Sequence, residues 1–487
     1  MLLKTFKRVV ASKRGQLAPS LGQRHASSFQ RQPFRLSRPQ AVVGVSAVTL
    51  LVIGAGALLT DAATHMWLER NMKRAKRDID SDTREWGWWD LEAERWTGDP
   101  SQGGTDPALG RQGRKLVRDA WFSHHGPENY APIDEDDKGA NDLNTVDAVL
   151  LRTELCLRGA IAIAESPDIA PKLHPCTLID LLSRRAAILE RLGPFHLGES
   201  RAEYERVWGL LAGKGIQAAR VAVKLGDINQ RLGEGPDALA WWARAVQLAS
   251  GGQQGALEPA VPTTPPSSPA SQRVLASALV STSAFYAMAR QLSQAQKIEQ
   301  GSLDLLRSIR PPESLASASP PQALHSLSLL HRSAILSLHL GEVFYAANRA
   351  AECLQSLQAA ATSSERVACA LVGASAQDSE QPAPRMEEPL LPGYIKNPYL
   401  EKPARDLLRD ARRSAADTWN LMGELTERMG PSHRQLAFKY YQRAIFWAGR
   451  TNGEGTLEPA DLTLRDDWTL MLRNYTRMRE ATEPKCQ

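Results

Sequence analysis

Residues 221–249 read VAVKLGDINQRLGEGPDALAWWARAVQLA, and this stretch decides the fold. Small residues stand at fixed intervals in it, at Gly226, Ala238 and Ala245, and the bulky Trp242 lies between the last two. In a pair of packed helices, small residues let the two helices approach while large ones fill the space between neighbours. The stretch therefore predicts a helical hairpin with a defined contact between its two helices.

The spacing matches the tetratricopeptide repeat, a helix pair of about 34 residues with a small residue at position 8, an aromatic at 24 and Ala at 27. Segment 335–360 matches in the same phase, and segment 419–444 matches after a two-residue insertion in the turn between its helices. Weaker units are predicted at 279–306, where Glu299 replaces the aromatic, and at 146–192. The predicted repeat core comprises Leu225, Gly226, Ala238, Trp242, Ala245, Leu340, Gly341, Phe344, Trp419, Gly423, Ala437, Tyr441 and Ala444.

Three stretches rich in Pro, Ser and Gly interrupt this pattern, at 251–271, 310–323 and 374–400, and they cannot continue a helix. The pieces between them hold only one or two hairpins each, which is too few to bury a separate core. We therefore interpret them as surface loops within a single helical repeat array that covers residues 144–480.

The leader 1–40 is rich in Lys and Arg, contains no Asp or Glu, and begins with a basic amphipathic pattern typical of mitochondrial presequences. The uncharged run 41–59 is long and apolar enough to predict a transmembrane helix. A disordered basic tail on a cytosolic protein is the alternative for the leader. The predicted fold class is all-α, a tetratricopeptide-like α-solenoid with one N-terminal transmembrane helix. Basic residues before the span place the C-terminal body in the intermembrane space.

Residues 60–143 are predicted to form a helical spacer and a Trp-rich segment ahead of the array. Trp86, Trp88, Trp89 and Trp96 bring a large apolar area with indole donors to this segment. Two interpretations stay open. The segment is either a strip or lid that docks a partner beside the membrane, or it packs onto the first helix pair.

The sequence offers no catalytic, cofactor or metal site. The stretch 209–215 (GLLAGKG) is one residue short of a phosphate loop and lacks its hydroxyl. His124 and His125 are adjacent and so point apart on a helix, and the five cysteines are scattered. Much of the net charge of +5 lies in the leader, which disfavours nucleic-acid binding by the body. We predict a protein that is not an enzyme.

These features together resemble the fungal family of adaptor subunits of the mitochondrial inner-membrane i-AAA protease. The block 85–118, with WGWWDLEAERWTG, GGTDPALG and the start of GRKLVRDAW, looks like the block that precedes the array in that family. The resemblance implies a non-enzymatic, single-pass inner-membrane adaptor for protein quality control. Its body would bind the AAA protease and present unfolded or membrane-protein clients. The long Pro-rich insertions depart from a compact consensus array.

Stacked first helices of such an array predict a groove that binds an extended or helical peptide. The candidate groove residues, taken from repeat geometry, are Asn229, Arg231, Glu342, Tyr345, Asn420, Glu424 and Glu427. The same positions also fit ordinary solvent-facing residues. Three other functions stay open: a respiratory-complex assembly factor, an outer-membrane import receptor of tetratricopeptide type, and a purely structural scaffold.

Overall fold

The computed structural model describes residues 63–70, 80–88, 96, 104–125, 142–251, 258–374, 389–451, 457–460 and 465–482. Most of these residues are helical, which confirms the predicted all-α class. The predicted presequence 1–40 and the predicted span 41–59 lie outside the described residues. Within the described ranges, no helix combines the length and the apolar character that crossing a bilayer requires.

The elements follow one another as helix pairs. The helices are α1 (Ser81–Glu85), α2 (Gly110–His125), α3 (Asp142–Ala164), α4 (Pro175–Arg191), α5 (Leu197–Leu210), α6 (Gly215–Leu232), α7 (Gly235–Ser250), α8 (Pro269–Met288), α9 (Leu292–Ser308), α10 (Pro320–Ala346), α11 (Ala350–Val372), α12 (Pro392–Ile395), α13 (Pro398–Arg428), α14 (Arg434–Ala448) and α15 (Arg465–Thr482). Residues 63–70 are also helical. A two-stranded antiparallel ribbon of β1 (Gly449–Thr451) and β2 (Leu457–Pro459) connects α14 to α15.

From α2 to α11 each helix packs on the next, α11 packs on α13, and α4–α5, α6–α7, α8–α9, α10–α11 and α13–α14 form successive pairs. The first helices of neighbouring pairs, α6, α8, α10 and α13, also contact one another in that order. This arrangement places the first helices side by side on one face of the array. Helix α15 packs on α14 and ends the described part of the chain.

Close approach within a pair depends on a glycine. A Cβ atom at Gly226 in α6 would lie 2.8 Å or less from three atoms of the Trp242 indole in α7, and Trp242 is fully buried. Because the glycine has no side chain, the indole packs directly on the helix backbone. The same contact recurs in two other pairs: Gly341 with Leu357, and Gly423 with Tyr441. Every residue of the predicted repeat core is buried.

Several helices begin at prolines inside the ranges interpreted from the sequence as loops: Pro269, Pro320, Pro392 and Pro398. The first N–H groups of a helix have no partner within the helix, so proline is tolerated there and its fixed φ favours the helical start. The Pro-rich composition therefore marks the beginnings of the first helices as well as the loops that precede them.

Glu365 in α11 is a buried carboxylate that is hydrogen-bonded to two other helices of the C-terminal half. Its carboxylate accepts hydrogen bonds from the indole nitrogens of Trp419 at 2.7 Å and Trp447 at 2.6 Å. The Arg443 guanidinium donates to both of its oxygens at 2.6 Å and lies over the Trp419 ring. One carboxylate thus ties α11 to α13 and α14, and its charge is compensated by the arginine.

Glu299 in α9 occupies the repeat position where the sequence lacks the expected aromatic, and it is fully buried. Neither of its carboxylate oxygens has a hydrogen-bond partner among the described residues. Burial, and secondly the neighbouring Glu342, raise the pKa of Glu299 to about 9. The side chain is therefore protonated at neutral pH, because an isolated charge in this position is costly.

We expect Glu299→Gln to stabilise the protein more at pH 8.5 than at pH 5.5. The carboxyl of the unfolded chain ionises near its ordinary value of 4.5, whereas the folded protein keeps the proton to about 9. Stability therefore falls as the pH rises between these values, and a glutamine removes this loss. The melting temperature of the variant should exceed that of the parent by about 5 °C at pH 8.5 and by much less at pH 5.5.

The control is Glu352→Gln, at an exposed residue whose pKa is lowered by its hydrogen bond from Arg349. Glu352 is ionised at both pH values, so its substitution should give the same small effect at each. An equal gain for Glu299→Gln at the two pH values would contradict protonation of the buried carboxyl.

Candidate functional site

A groove with a volume of about 720 Å³ runs across the face formed by the first helices. Residues of α4, α6, α8, α10 and α13 line it, together with Tyr204 and Val207 of α5, Leu211 just after α5, and Trp88. The lining comes mostly from the N-terminal halves of these helices. Five successive helix pairs thus contribute to one continuous concave surface, which suits an elongated ligand better than a small molecule.

Both signs of charge line the groove. The basic residues are Arg184, Arg220, Lys224, Arg273, Arg332 and Lys402, and the acidic ones are Asp180, Asp227, Asp406 and Asp410. The surrounding walls exclude much of the water, so burial lowers the pKa of Arg184 to about 10 and raises that of Asp227. Charges in such a setting interact strongly with polar groups of a bound chain.

Residues 80–88, here named the strap, cross the N-terminal ends of α8, α10 and α13. The strap contains α1 and the turn Trp86-Gly87-Trp88, in which Gly87 has a φ of 68°. Its first part is tied to Asn397, whose side-chain amide donates to Thr83 Oγ1 at 2.9 Å and to Asp80 Oδ2 at 3.3 Å. The side-chain oxygen Oδ1 of Asn397 caps α13 by accepting from the Tyr399 N–H at 3.0 Å.

The side chain of Arg273 in α8 binds main-chain atoms at the other end of the strap. Its guanidinium donates to the carbonyl oxygens of Trp86 and Gly87, each at 3.0 Å, and lies 3.9 Å from the centre of the Trp88 ring. The Trp88 indole N–H donates to the Pro321 carbonyl oxygen at 2.9 Å, and only 2% of Trp88 is exposed. The Arg273 guanidinium thus binds two peptide carbonyls and one aromatic face.

His325 of α10 fixes the orientation of Arg273. A guanidinium only donates, so His325 Nδ1 accepts from Arg273 at 3.1 Å and the Nε2 proton is donated to Gln272 Oε1 at 2.9 Å. Burial, followed by the Arg273 charge, lowers the pKa of His325 to about 3. The ring is neutral in the physiological range, and it also lies 5.3 Å from the Trp86 ring.

The predicted Trp-rich strip is divided between two places. Trp86 and Trp88 pack against α8 and α10 in the middle of the array, not on the first helix pair. Trp96 is buried at the other end of the groove, where Arg184 lies 5.0 Å from its ring and His124 and His125 pack beside it. Trp89 lies outside the described residues.

Among the described residues, no group of three or more His, Cys, Asp or Glu side chains that could hold a metal ion is found around His124 and His125. Burial, and then the neighbouring His125, lower the pKa of His124 to about 3. Both rings instead take part in aromatic packing around Trp96. The phosphate-loop look-alike near Gly213 is the turn between α5 and α6.

None of the candidate groove residues from the sequence lines the observed groove. Asn229, Glu342 and Asn420 are buried. The others are bonded to neighbouring helices: Arg231 to Glu190, Tyr345 to Arg428, Glu424 to Asn474, and Glu427 to Tyr441 and Arg477. They lie near the C-terminal ends of the first helices, and α15 covers those of α13. The observed groove lies nearer the N-terminal ends: its lining stops at Asp227 in α6, at Arg332 in α10 and at Asp410 in α13.

Arg273 was absent from the candidates of the sequence analysis. It stands one turn into α8, just after a Pro-rich loop, and nothing in its local sequence separates it from other arginines on helix surfaces. The one available signal was the Trp-Gly-Trp turn, since a buried indole needs a partner for its N–H.

No protein-family profile matches the chain, and no curated protein matches it significantly. Among solved structures, the chain is similar to the crystal structure of BtubC (BKLC) from P. vanneervenii, with 17% sequence identity and a TM-score of 0.34. The match covers 58% of this chain and 98% of BtubC. A likeness at this level does not identify a function.

Proposed function

We propose that this protein is a non-enzymatic adaptor that binds polypeptide in a groove of a tetratricopeptide-like α-solenoid. Three features support the solenoid: the successive helix pairs, the glycine contact repeated in three of them, and the side-by-side first helices. The expected partners are unfolded or membrane-protein clients together with an AAA protease of the mitochondrial inner membrane.

The observation that carries this proposal is the strap itself. A stretch of polypeptide already lies across the groove-lining helices, and Arg273 binds it through two main-chain carbonyls. Contacts to the main chain do not depend on the sequence of the bound chain, which is what an adaptor for diverse unfolded clients needs. The mixed charges of the groove provide further donors and acceptors for a client backbone.

The membrane placement and the protease partner rest on the leader, the apolar run 41–59 and the resemblance of the block 85–118 to the adaptor family. A single span close to the described helical segment 63–70 would hold the groove near the bilayer surface. There it would meet unfolded segments of membrane proteins and deliver them to a protease anchored in the same membrane.

The test is crosslinked affinity purification of the full-length protein from mitochondria, followed by mass spectrometry. We expect an inner-membrane AAA protease to be recovered, and protease treatment should degrade the body in mitoplasts but not in intact mitochondria. Recovery of respiratory subunits without the protease would favour an assembly factor. Degradation in intact mitochondria would favour an outer-membrane receptor. Either result would contradict the proposed function.

A further inference from the structure

We propose that Arg273, Pro321 and His325 form a subsite for a tryptophan-containing turn of a client, and that the strap occupies this subsite and competes with the client for it. This inference rests on the proposed function, because it names the class of segment that the groove selects. It also predicts that a client must displace residues 80–88 before it binds fully.

The contacts of the subsite fit an indole that follows two peptide units in a turn, as Trp88 follows Trp86 and Gly87. The Arg273 fork takes the two carbonyls, the Trp88 ring packs against the guanidinium, and the Pro321 carbonyl takes the indole N–H. A phenylalanine would leave that carbonyl without its donor, and an aliphatic residue would also lose the stacking on the guanidinium. Tryptophan satisfies all of these contacts at once.

The strap is held in a way that permits release. Among the described residues, its hydrogen bonds to the array come from the Arg273 guanidinium, the Asn397 amide and the Trp88 indole, and α1 is only five residues long. Trp86 also packs on the His325 ring at 5.3 Å. Trp88 itself lines the groove. A client bound along the groove would therefore contact the same surface of α8 and α10 that the strap covers. Each has the same main-chain groups to offer to Arg273.

The test uses the full-length protein in lipid nanodiscs and a labelled peptide of residues 80–88, DSDTREWGW, with fluorescence anisotropy as the readout. The Trp88→Ala variant, whose own strap lacks the indole, should bind this peptide about tenfold more tightly than the parent protein. The peptide DSDTREAGA, which keeps the two carbonyls but lacks both indoles, should bind each protein at least tenfold more weakly than DSDTREWGW does. Adding Arg273→Ala to the Trp88→Ala variant should abolish the gain.

A second variant loosens the strap without altering the subsite. Asn397→Asp keeps the oxygen that caps α13 but replaces the amide donor with a carboxylate facing Asp80. The Asn397→Asp variant should bind the peptide about threefold more tightly than the parent protein. If Trp88→Ala fails to fold, as shown by loss of its helical circular dichroism signal, Asn397→Asp replaces it in the test. Phe195→Ala, at an aromatic residue that is 96% exposed and outside both strap and groove, is the matched control and should behave like the parent.

Equal peptide binding by the parent and both strap variants would overturn the inference, and so would absence of binding in all of them. A parallel titration with reduced, carboxymethylated α-lactalbumin separates this failure from failure of the proposed function. If the parent binds that unfolded chain and the strap variants gain nothing, the competitor role is wrong while polypeptide binding stands. If no variant binds it, polypeptide binding is itself contradicted.

Discussion

Replacing Glu365 by alanine should lower the free energy of unfolding by about 3 kcal/mol, because it breaks a buried charge pair. The substitution leaves two indole N–H groups and the Arg443 guanidinium without their shared acceptor. An uncompensated charge next to a buried cluster costs far more than an exposed one. Urea unfolding of the full-length protein, followed by circular dichroism, measures the change.

Glu352→Ala is the control for Glu365→Ala. Glu352 is also paired with an arginine, Arg349 at 2.8 Å, but both side chains are exposed to water. Exposed pairs contribute little, so this variant should unfold at the same urea concentration as the parent. Equal midpoints for the two alanine variants would show that Glu365 does not join the three helices as described.

Gly226→Ala should destabilise the protein by about 2 kcal/mol even though alanine favours helix by about 1 kcal/mol over glycine. The new methyl group would overlap the Trp242 indole, which is fully buried and donates to Asp227 Oδ1 at 3.1 Å, so the ring has little freedom to move aside. The clash outweighs the gain in propensity. Differential scanning calorimetry should show a melting temperature lower by on the order of 5 °C.

The matched substitution Gly209→Ala lies in α5, where no described atom outside the adjacent residues and the backbone of its own helix lies within 4 Å of the added methyl group. Only the propensity gain applies there, so the melting temperature should stay the same or rise slightly. A rise for both variants would mean that the α6–α7 contact is looser than the structure shows.

The helix pairs were predictable from the sequence because their key contacts are local. Gly226 and Trp242 are 16 positions apart, and the spacing of small and large residues records how one helix crosses the next. The hydrogen bonds of Glu365 were not predictable in this way. Its partners stand 54 to 82 positions further along, and which helix they meet depends on the path of the whole array.

The sequence predicted a groove along the first helices, but it did not predict which residues line the groove that the structure shows. Repeat positions suggested Asn420 and Glu424, yet Asn474 of α15 bonds to both and covers them. The strap contacts join residues 187 and 233 positions apart, a separation at which periodicity carries no information. The tryptophans in the strap signalled that a packing partner exists without indicating that α8 and α10 provide it.

The most direct test of polypeptide binding in the groove is site-specific photocrosslinking. The photoreactive residue p-benzoylphenylalanine replaces Ser328, which lines the groove on α10, or Gln294, which is exposed on α9 outside it. With the full-length protein and saturating reduced, carboxymethylated α-lactalbumin, we expect a strong crosslink from position 328 and none above background from position 294. Crosslinks of equal yield from the two positions, or a crosslink from position 294 alone, would contradict binding along the first helices.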